Sequence, residues 1–146
     1  MAIDMAIDTK YQTEGYATGG GRNGIAGLAS GQLTVTMASP PALGGDGKGH
    51  NPEELFAMGY AACFLSAMHA VARMEKLGDV PEDAKVTATV GIGPRGDGGF
   101  GIAVKLAVSL PGLDRAVAQK IVERGHFVCP YSDATKGNID VDLSLV

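Results

Sequence analysis

The dominant feature of the hydropathy pattern is an apolar run from Leu55 to Ala72, interrupted only by Cys63, Ser66 and His69. Just ahead of it, Asn51 can cap a helix and Pro52 fits the first helical position, where no N–H is needed. Glu53 and Glu54 then complement the positive end of the helix dipole. Because no face is kept polar, the pattern predicts a buried helix, running to Leu77 with Gly78 as its stop and Pro81 beyond. Roughly 27 residues of helix measure about 40 Å, which a chain of this size has trouble covering alone. Ala57, Gly59, Ala61, Ala62, Ala67 and Ala70 would let another backbone come near, so a partner subunit is expected.

Around this helix the periodicity is that of strands. Tyr11 to Thr18 reads as a first strand, ended by Gly19-Gly20-Gly21, and Arg22-Asn23-Gly24 as a turn in which Asn-Gly favours positive φ. Leu33, Val35 and Met37 alternate with Gln32, Thr34 and Thr36, the pattern of a half-buried strand that Pro40-Pro41 ends. Gly44 to His50 is too rich in glycine for regular structure and delivers the chain to the helix as a mobile or tightly turned loop. Lys85 to Gly91 and Phe100 to Leu110 read as a long hairpin with Ala103, Lys105, Ala107 and Ser109 on the wetter face. Asp114 caps a second helix to about Phe127, with Ala118, Ile121 and Val122 inward and Pro130 closing it. Ile139, Val141, Leu143 and Leu145 alternate as a last strand. The order predicts an α+β fold with a mostly antiparallel sheet.

Composition narrows the function. With 146 residues the chain can bury a core without staples, and residues 11–146 are read as a single domain. The repeated Met-Ala-Ile-Asp at the start is read as an alternative start or a cloning remnant, and residues 1–10 as disordered or foreign to the fold. A net charge of −4 without a basic cluster argues against nucleic acid and anionic membranes as partners. The first residues lack the basic and apolar regions of an export signal, so a cytoplasmic location is expected. The apolar run is long enough to be tested as a membrane span, but its Ala and Gly content, His69 and the neighbouring strands favour a protein core. Gly91-Ile92-Gly93-Pro94-Arg95-Gly96 matches a dinucleotide motif by letter. It leads into a strand rather than opening a helix, and is read as a hairpin turn. His50, His69 and His126 show no ligand spacing, so no metal is expected, and His69 lies on a different helix face from Cys63.

Two cysteines remain, Cys63 and Cys129, in neither a zinc pattern nor a C-x-x-C pair. A thiol inside a buried helix is ordinarily a small hydrophobe, whereas Cys129 lies at a helix exit where a thiol could move. A structural bridge would tend to be reduced in the cytosol.

The residues Asn51-Pro52-Glu53-Glu54-Leu55-Phe56-Ala57, Gly59-Tyr60-Ala61-Ala62-Cys63-Phe64 and Val128-Cys129-Pro130-Tyr131-Ser132-Asp133-Ala134-Thr135-Lys136-Gly137-Asn138 resemble the organic hydroperoxide resistance proteins of the OsmC/Ohr family. Gly91-Ile92-Gly93, Gly99-Phe100-Gly101 and Leu110-Pro111-Gly112-Leu113 extend the match, as does a Gly-Gly-Arg turn with one extra glycine ahead of Arg22. The resemblance implies that Cys63 attacks the peroxide, that Cys129 resolves it, and that Arg22 and Glu53 activate Cys63. It also implies an intertwined homodimer with sheet wrapped around paired central helices, and a lipoyl dithiol, on a lipoylated protein or as dihydrolipoamide, as reductant without any bound cofactor.

Elementary chemistry agrees with that division of labour. A thiol with pKa near 8.5 is only about 3% thiolate at pH 7, and burial lowers the fraction further. An arginine fork held by a carboxylate supplies fixed charge. Lowering the thiol pKa raises thiolate but weakens its nucleophilicity almost as much. The larger benefit is therefore stabilisation of the developing alkoxide. Phe56, Met58, Phe64 and Phe100 would favour a bulky hydrocarbon peroxide. Glu53 and Cys63 are ten positions apart, about 15 Å on a straight helix. Either the helix breaks, at Gly59, or Glu53 meets Cys63 across a symmetric dimer, the preferred reading. The alternative from another class is a thiol redox sensor or binding protein that uses the same pair without turnover. A further one is an OsmC-type protein with a different substrate.

Overall fold

A computed structural model describes residues 7–146; residues 1–6, and with them most of the repeated start, lie outside the described residues. Two compact units divide the chain, Met1–Pro52 and Glu53–Val146.

The first unit holds a three-stranded antiparallel sheet of β1 (Gly15–Thr18), β2 (Ile25–Leu28) and β3 (Thr34–Thr36) in that order. β1 is shorter than the expected strand from Tyr11, because pairing with β2 begins only at Gly15, opposite Leu28. Positive φ in the β1–β2 turn falls on Gly19 (67°) and Gly21 (68°), not on Asn23. Asn23 instead accepts a hydrogen bond at Oδ1 from the Ser39 amide (3.3 Å). A side chain on Gly24 would collide with the Thr18 carbonyl, which explains the Asn-Gly pair by space rather than by dihedral. Pro41 opens a short 3₁₀ turn (Pro41–Leu43), and the glycine-rich loop after it is tightly turned. The Gly45 and Gly47 amides donate to Pro40 and Ser39 carbonyls at 3.1 and 3.0 Å.

The second unit opens with helix α1 (Pro52–Met74), followed by β4 (Lys85–Pro94), β5 (Phe100–Ser109), α2 (Arg115–Val128), α3 (Pro130–Thr135) and β6 (Val141–Leu145). The α+β class and the mostly antiparallel strands match expectation. The exception is β6, which pairs parallel to β5, with α2 and α3 as the crossover that a parallel pair requires. The hairpin register sets Val86 opposite Val108, Ala88 opposite Leu106 and Val90 opposite Val104. This puts one apolar face inward, while Ala103 and Lys105 are exposed on the other. The glycines of the dinucleotide-like motif serve the hairpin. Arg95 lies across Gly99 and Gly101, its Nη1 donates to the Phe100 carbonyl (2.8 Å), and its Nε donates to Asp97 (3.0 Å).

α1 is continuous through Gly59, which removes the broken-helix alternative. It ends at Met74 rather than Leu77, because Lys76 takes a left-handed φ of 54°. The Leu77 amide then reaches the Ala72 carbonyl (2.9 Å) and the Lys76 amide the Arg73 carbonyl (3.4 Å), a Schellman closure. The helix is not covered all round by its own chain, in keeping with the expectation that one chain has trouble covering it. Only one stripe, Tyr60, Phe64, Ala67, Met68, Val71 and Ala72, is buried in the single chain, whereas Met58 and Met74 are 64% and 74% exposed. By length and composition α1 could cross a membrane, yet Tyr60, Phe64, Met68 and Val71 have no exposed surface at all.

The buried stripe meets Val104, Leu106 and Val108 of β5 and Ala118, Ile121 and Val122 of α2 in one core. At about 1.5–3 kcal/mol for each fully buried large apolar side chain, this cluster dominates the stability of the unit. α2 packs closely on α1 at Gly125, where a Cβ would lie 2.7 Å from Met68 Cγ. Asp114 caps α2 as expected, accepting from the Ala116 and Val117 amides at 3.1 and 3.3 Å. Pro130 does more than close α2, since it opens α3.

Candidate active site: a dithiol at a helix corner

Cys63 lies near the middle of α1, half-buried, one residue before the core side chain Phe64. Cys129 occupies the corner between α2 and α3, with φ −63° and ψ 122°. The extended ψ is what a residue before proline adopts, so Pro130 forces the turn that aims Cys129 away from the axis of α2. Cys129 has no exposed surface. Although 66 positions apart, the two sulfurs lie 3.7 Å from each other, both as free thiols. That separation needs only a small approach to bonding distance, about 2.05 Å.

Burial pushes the Cys63 thiol above its ordinary range. A hydrogen bond with the Tyr131 backbone pulls it down, while the neighbouring Cys129 thiol raises it again. Within this unit the net direction is toward the neutral thiol, so attack on an electrophile calls for an added positive charge.

Aromatic rings pack beside the dithiol. Phe56 stacks on Tyr131 with centroids 5.8 Å apart and meets Tyr60 edge-on at 5.8 Å, and Tyr60 meets Tyr131 edge-on at 5.7 Å. Gly59 makes room for this arrangement, because a Cβ there would stand 3.3 Å from the Tyr131 hydroxyl. Next to the rings lies a chain of polar groups, buried at Tyr60, Ser132 and Thr135 and half-buried at His126. The Tyr60 hydroxyl is 2.8 Å from Ser132 Oγ and 3.3 Å from Thr135 Oγ1, and His126 Nδ1 is 2.9 Å from Ser132 Oγ.

The residues expected from the sequence fall out unevenly. Cys63 and Cys129 are brought together. Glu53 is half-buried in the first turn of α1, and Arg22 is half-buried in the β1–β2 turn of the first unit. Phe56 stands beside the site through Tyr131, and Met58 is exposed on α1. Phe64 offers no surface to a substrate: it is fully buried, 6.3 Å from the His126 ring. Phe100, 69% exposed, begins β5 next to the hairpin turn. Sequence reasoning gave no role to Tyr60, Tyr131, Ser132, Thr135 or His126. The available signal was that a tyrosine inside an apolar helix must find a partner for its hydroxyl.

The chain is thus an α+β protein with a paired dithiol, one thiol on the long helix α1 and the other at a helix corner. Residues 45–144 match the family model of the OsmC-like proteins. Over 143 residues the chain is 48% identical to the organic hydroperoxide resistance protein of Xanthomonas axonopodis pv. citri, covering 97% of this chain and 99% of that one. The crystal structure of an organic hydroperoxide resistance protein from Legionella pneumophila superposes with a TM-score of 0.88 at 42% identity, over 94% of this chain and 98% of that one. That of OhrB from Bacillus subtilis gives 0.83 at 39%, over 94% and 100%. The chain belongs to the OsmC/Ohr family, in its organic hydroperoxide resistance branch.

Proposed function

We propose that this protein is a thiol peroxidase that reduces organic hydroperoxides to alcohols. The observation that carries the reading is the 3.7 Å approach of the two free thiols, from positions 66 apart, in a family whose close relatives are named for organic hydroperoxide resistance. The Cys63 thiolate attacks the distal peroxide oxygen; the O–O bond breaks, the alkoxide takes a proton and leaves as alcohol, and Cys63 becomes a sulfenic acid. Cys129 then attacks that sulfur, forming the Cys63–Cys129 disulfide and releasing water, which protects Cys63 from further oxidation. A lipoyl dithiol reopens the bridge by exchange, taking up its two sulfurs' worth of oxidation as its own disulfide.

Since burial holds Cys63 toward the neutral thiol, Arg22 is the cation assigned to draw out the thiolate and meet the departing oxygen, with Glu53 orienting its fork. On an unbroken α1, Glu53 is about 15 Å from Cys63 along the axis. In this reading Glu53 serves the partner subunit's Cys63 in a symmetric homodimer. The exposed side of α1, with Met58 and the small Ala62, is the face such a pairing would cover. Phe56, Phe100 and, at the edge of that pairing, Met58 are assigned to the hydrocarbon surface for the substrate, and the fully buried Phe64 to the core. The reaction on alkyl or fatty-acid hydroperoxides requires no bound metal or nucleotide.

The test is consumption of tert-butyl or fatty-acid hydroperoxide with dihydrolipoamide as reductant. Multiple turnovers by the wild type and none by Cys63→Ser are expected. A single oxidation to the disulfide that no dithiol reverses would replace the peroxidase by a redox sensor.

A further inference from the structure

We infer that Ser132, held between His126 and Tyr60, is a positioning residue for the dithiol: the buried hydroxyl chain sets the corner that carries Cys129 and so governs how readily the two sulfurs join. The inference rests on the two-cysteine reading above, but it concerns residues to which that reading gives no part.

The placement is systematic. His126 lies three residues before Cys129 and Ser132 three residues after it, while Tyr60 lies three residues before Cys63. The His126–Ser132 contact (2.9 Å) therefore bridges the α2–α3 corner, and the Tyr60–Ser132 contact (2.8 Å) ties that corner to the helix that bears Cys63. Ser132 is 1% exposed and Tyr60 and Cys129 are not exposed at all, so water does not replace a lost partner cheaply.

One assignment of protons makes all four contacts hydrogen bonds at once. Thr135 Oγ1 donates to the Ser132 carbonyl (3.1 Å), which uses its only proton. The Tyr60 hydroxyl, 3.3 Å from Thr135 Oγ1, must then donate to it. With that proton spent, Ser132 donates to Tyr60, and His126 Nδ1–H donates to Ser132 Oγ. All four contacts are satisfied in one direction only. In this assignment the neutral His126 ring carries its proton on Nδ1, so protonation adds a proton at Nε2 and leaves the direction in place. The device is a fixed brace rather than a pH switch.

Removing a hydroxyl from the brace frees the corner and lowers the effective concentration of one thiol at the other. The experiment equilibrates the reduced full-length protein with oxidised and reduced dithiothreitol. The two protein thiols lose two protons and two electrons to form one S–S bond, and the reagent's disulfide gains them to become a dithiol. Ser132→Ala and Tyr60→Phe are expected to lower this exchange constant at least tenfold, which corresponds to a potential about 30 mV less negative. Ser132→Thr, which keeps the hydroxyl, should stay within threefold of wild type. Val108→Ala, a core truncation on β5 that removes no hydroxyl of the chain, should weaken the fold yet leave the constant in place. Constants for Ser132→Ala and Tyr60→Phe equal to that of wild type would overturn the inference, as would an equal shift in Val108→Ala. Tyr60→Phe keeps the buried ring and secures the test if Ser132→Ala fails to fold. No peroxide enters this assay, so a wild type inert to hydroperoxide would end the peroxidase reading and leave the brace to be judged separately.

Discussion

Oxidising the dithiol should raise the thermal stability of the protein by an amount that the fold sets. Joining Cys63 to Cys129 closes a loop of 66 positions, and chain entropy values such a closure at roughly 4 kcal/mol at 25 °C. The sulfurs stand at 3.7 Å and must close to about 2.05 Å, which takes some of this back as strain. A net gain of about 2–4 kcal/mol remains. Unfolding entropy of roughly 2.1 cal/mol/K per residue over 146 residues gives about 0.3 kcal/mol/K. The melting temperature should therefore rise by about 6–13 °C on oxidation. The measurement compares reduced and stoichiometrically oxidised protein by differential scanning fluorimetry at one fixed concentration, since association also shifts Tm. Mass spectrometry confirms the loss of two hydrogens within one chain, and Cys63→Ser and Cys129→Ser serve as controls without the rise. A confirmed intrachain bridge with an unchanged or lower Tm would show that bonding distorts the corner more than loop closure stabilises it.

Three further outcomes are expected. Arg22→Lys should slow peroxide attack about 10²–10³-fold in single-turnover kinetics, because a point charge does not replace an aimed fork at the leaving oxygen; a rate within tenfold of wild type would show that charge alone suffices. Lys76→Gly should stabilise the protein by about 1 kcal/mol in urea denaturation, since Lys76 holds a left-handed φ of 54° at the end of α1. Burial lowers the His126 pKa, so the unfolded state binds its proton first as pH falls. Its contribution is complete above the unfolded value of about 6.5 and is lost progressively below it. Urea midpoints at pH 7.5 and 5.5 should differ less in His126→Asn than in wild type.

Local rules made much of the fold legible. The Asn51-Pro52-Glu53 start of α1, the Asp114 cap, the inward Ala118, Ile121 and Val122, and the wet face of β5 all follow from short-range periodicity and capping, and all are found where expected. The failures are where a nonlocal or conformational alternative was available. Lys76 ended the helix ahead of Gly78 because the left-handed cap costs a lysine only about 1–2 kcal/mol. β6 pairs parallel to β5 because strand direction is decided by the crossover, about which alternation is silent. α3 was missed because a six-residue helix carries no readable period.

The candidate site divides the same way. Sequence alone determined that two thiols exist, that one sits on an apolar helix and the other before a proline, and that both lie in motifs of the OsmC/Ohr kind. Only the tertiary structure decided that they meet, that Phe64 is core rather than surface, and that Tyr60, Ser132 and His126 form one hydrogen-bonded chain. The physical reason is that propensity and periodicity act over a few residues. A contact between positions 66 apart is instead set by how α1 and α2 pack at Gly125 and by the angle that Pro130 imposes on the corner.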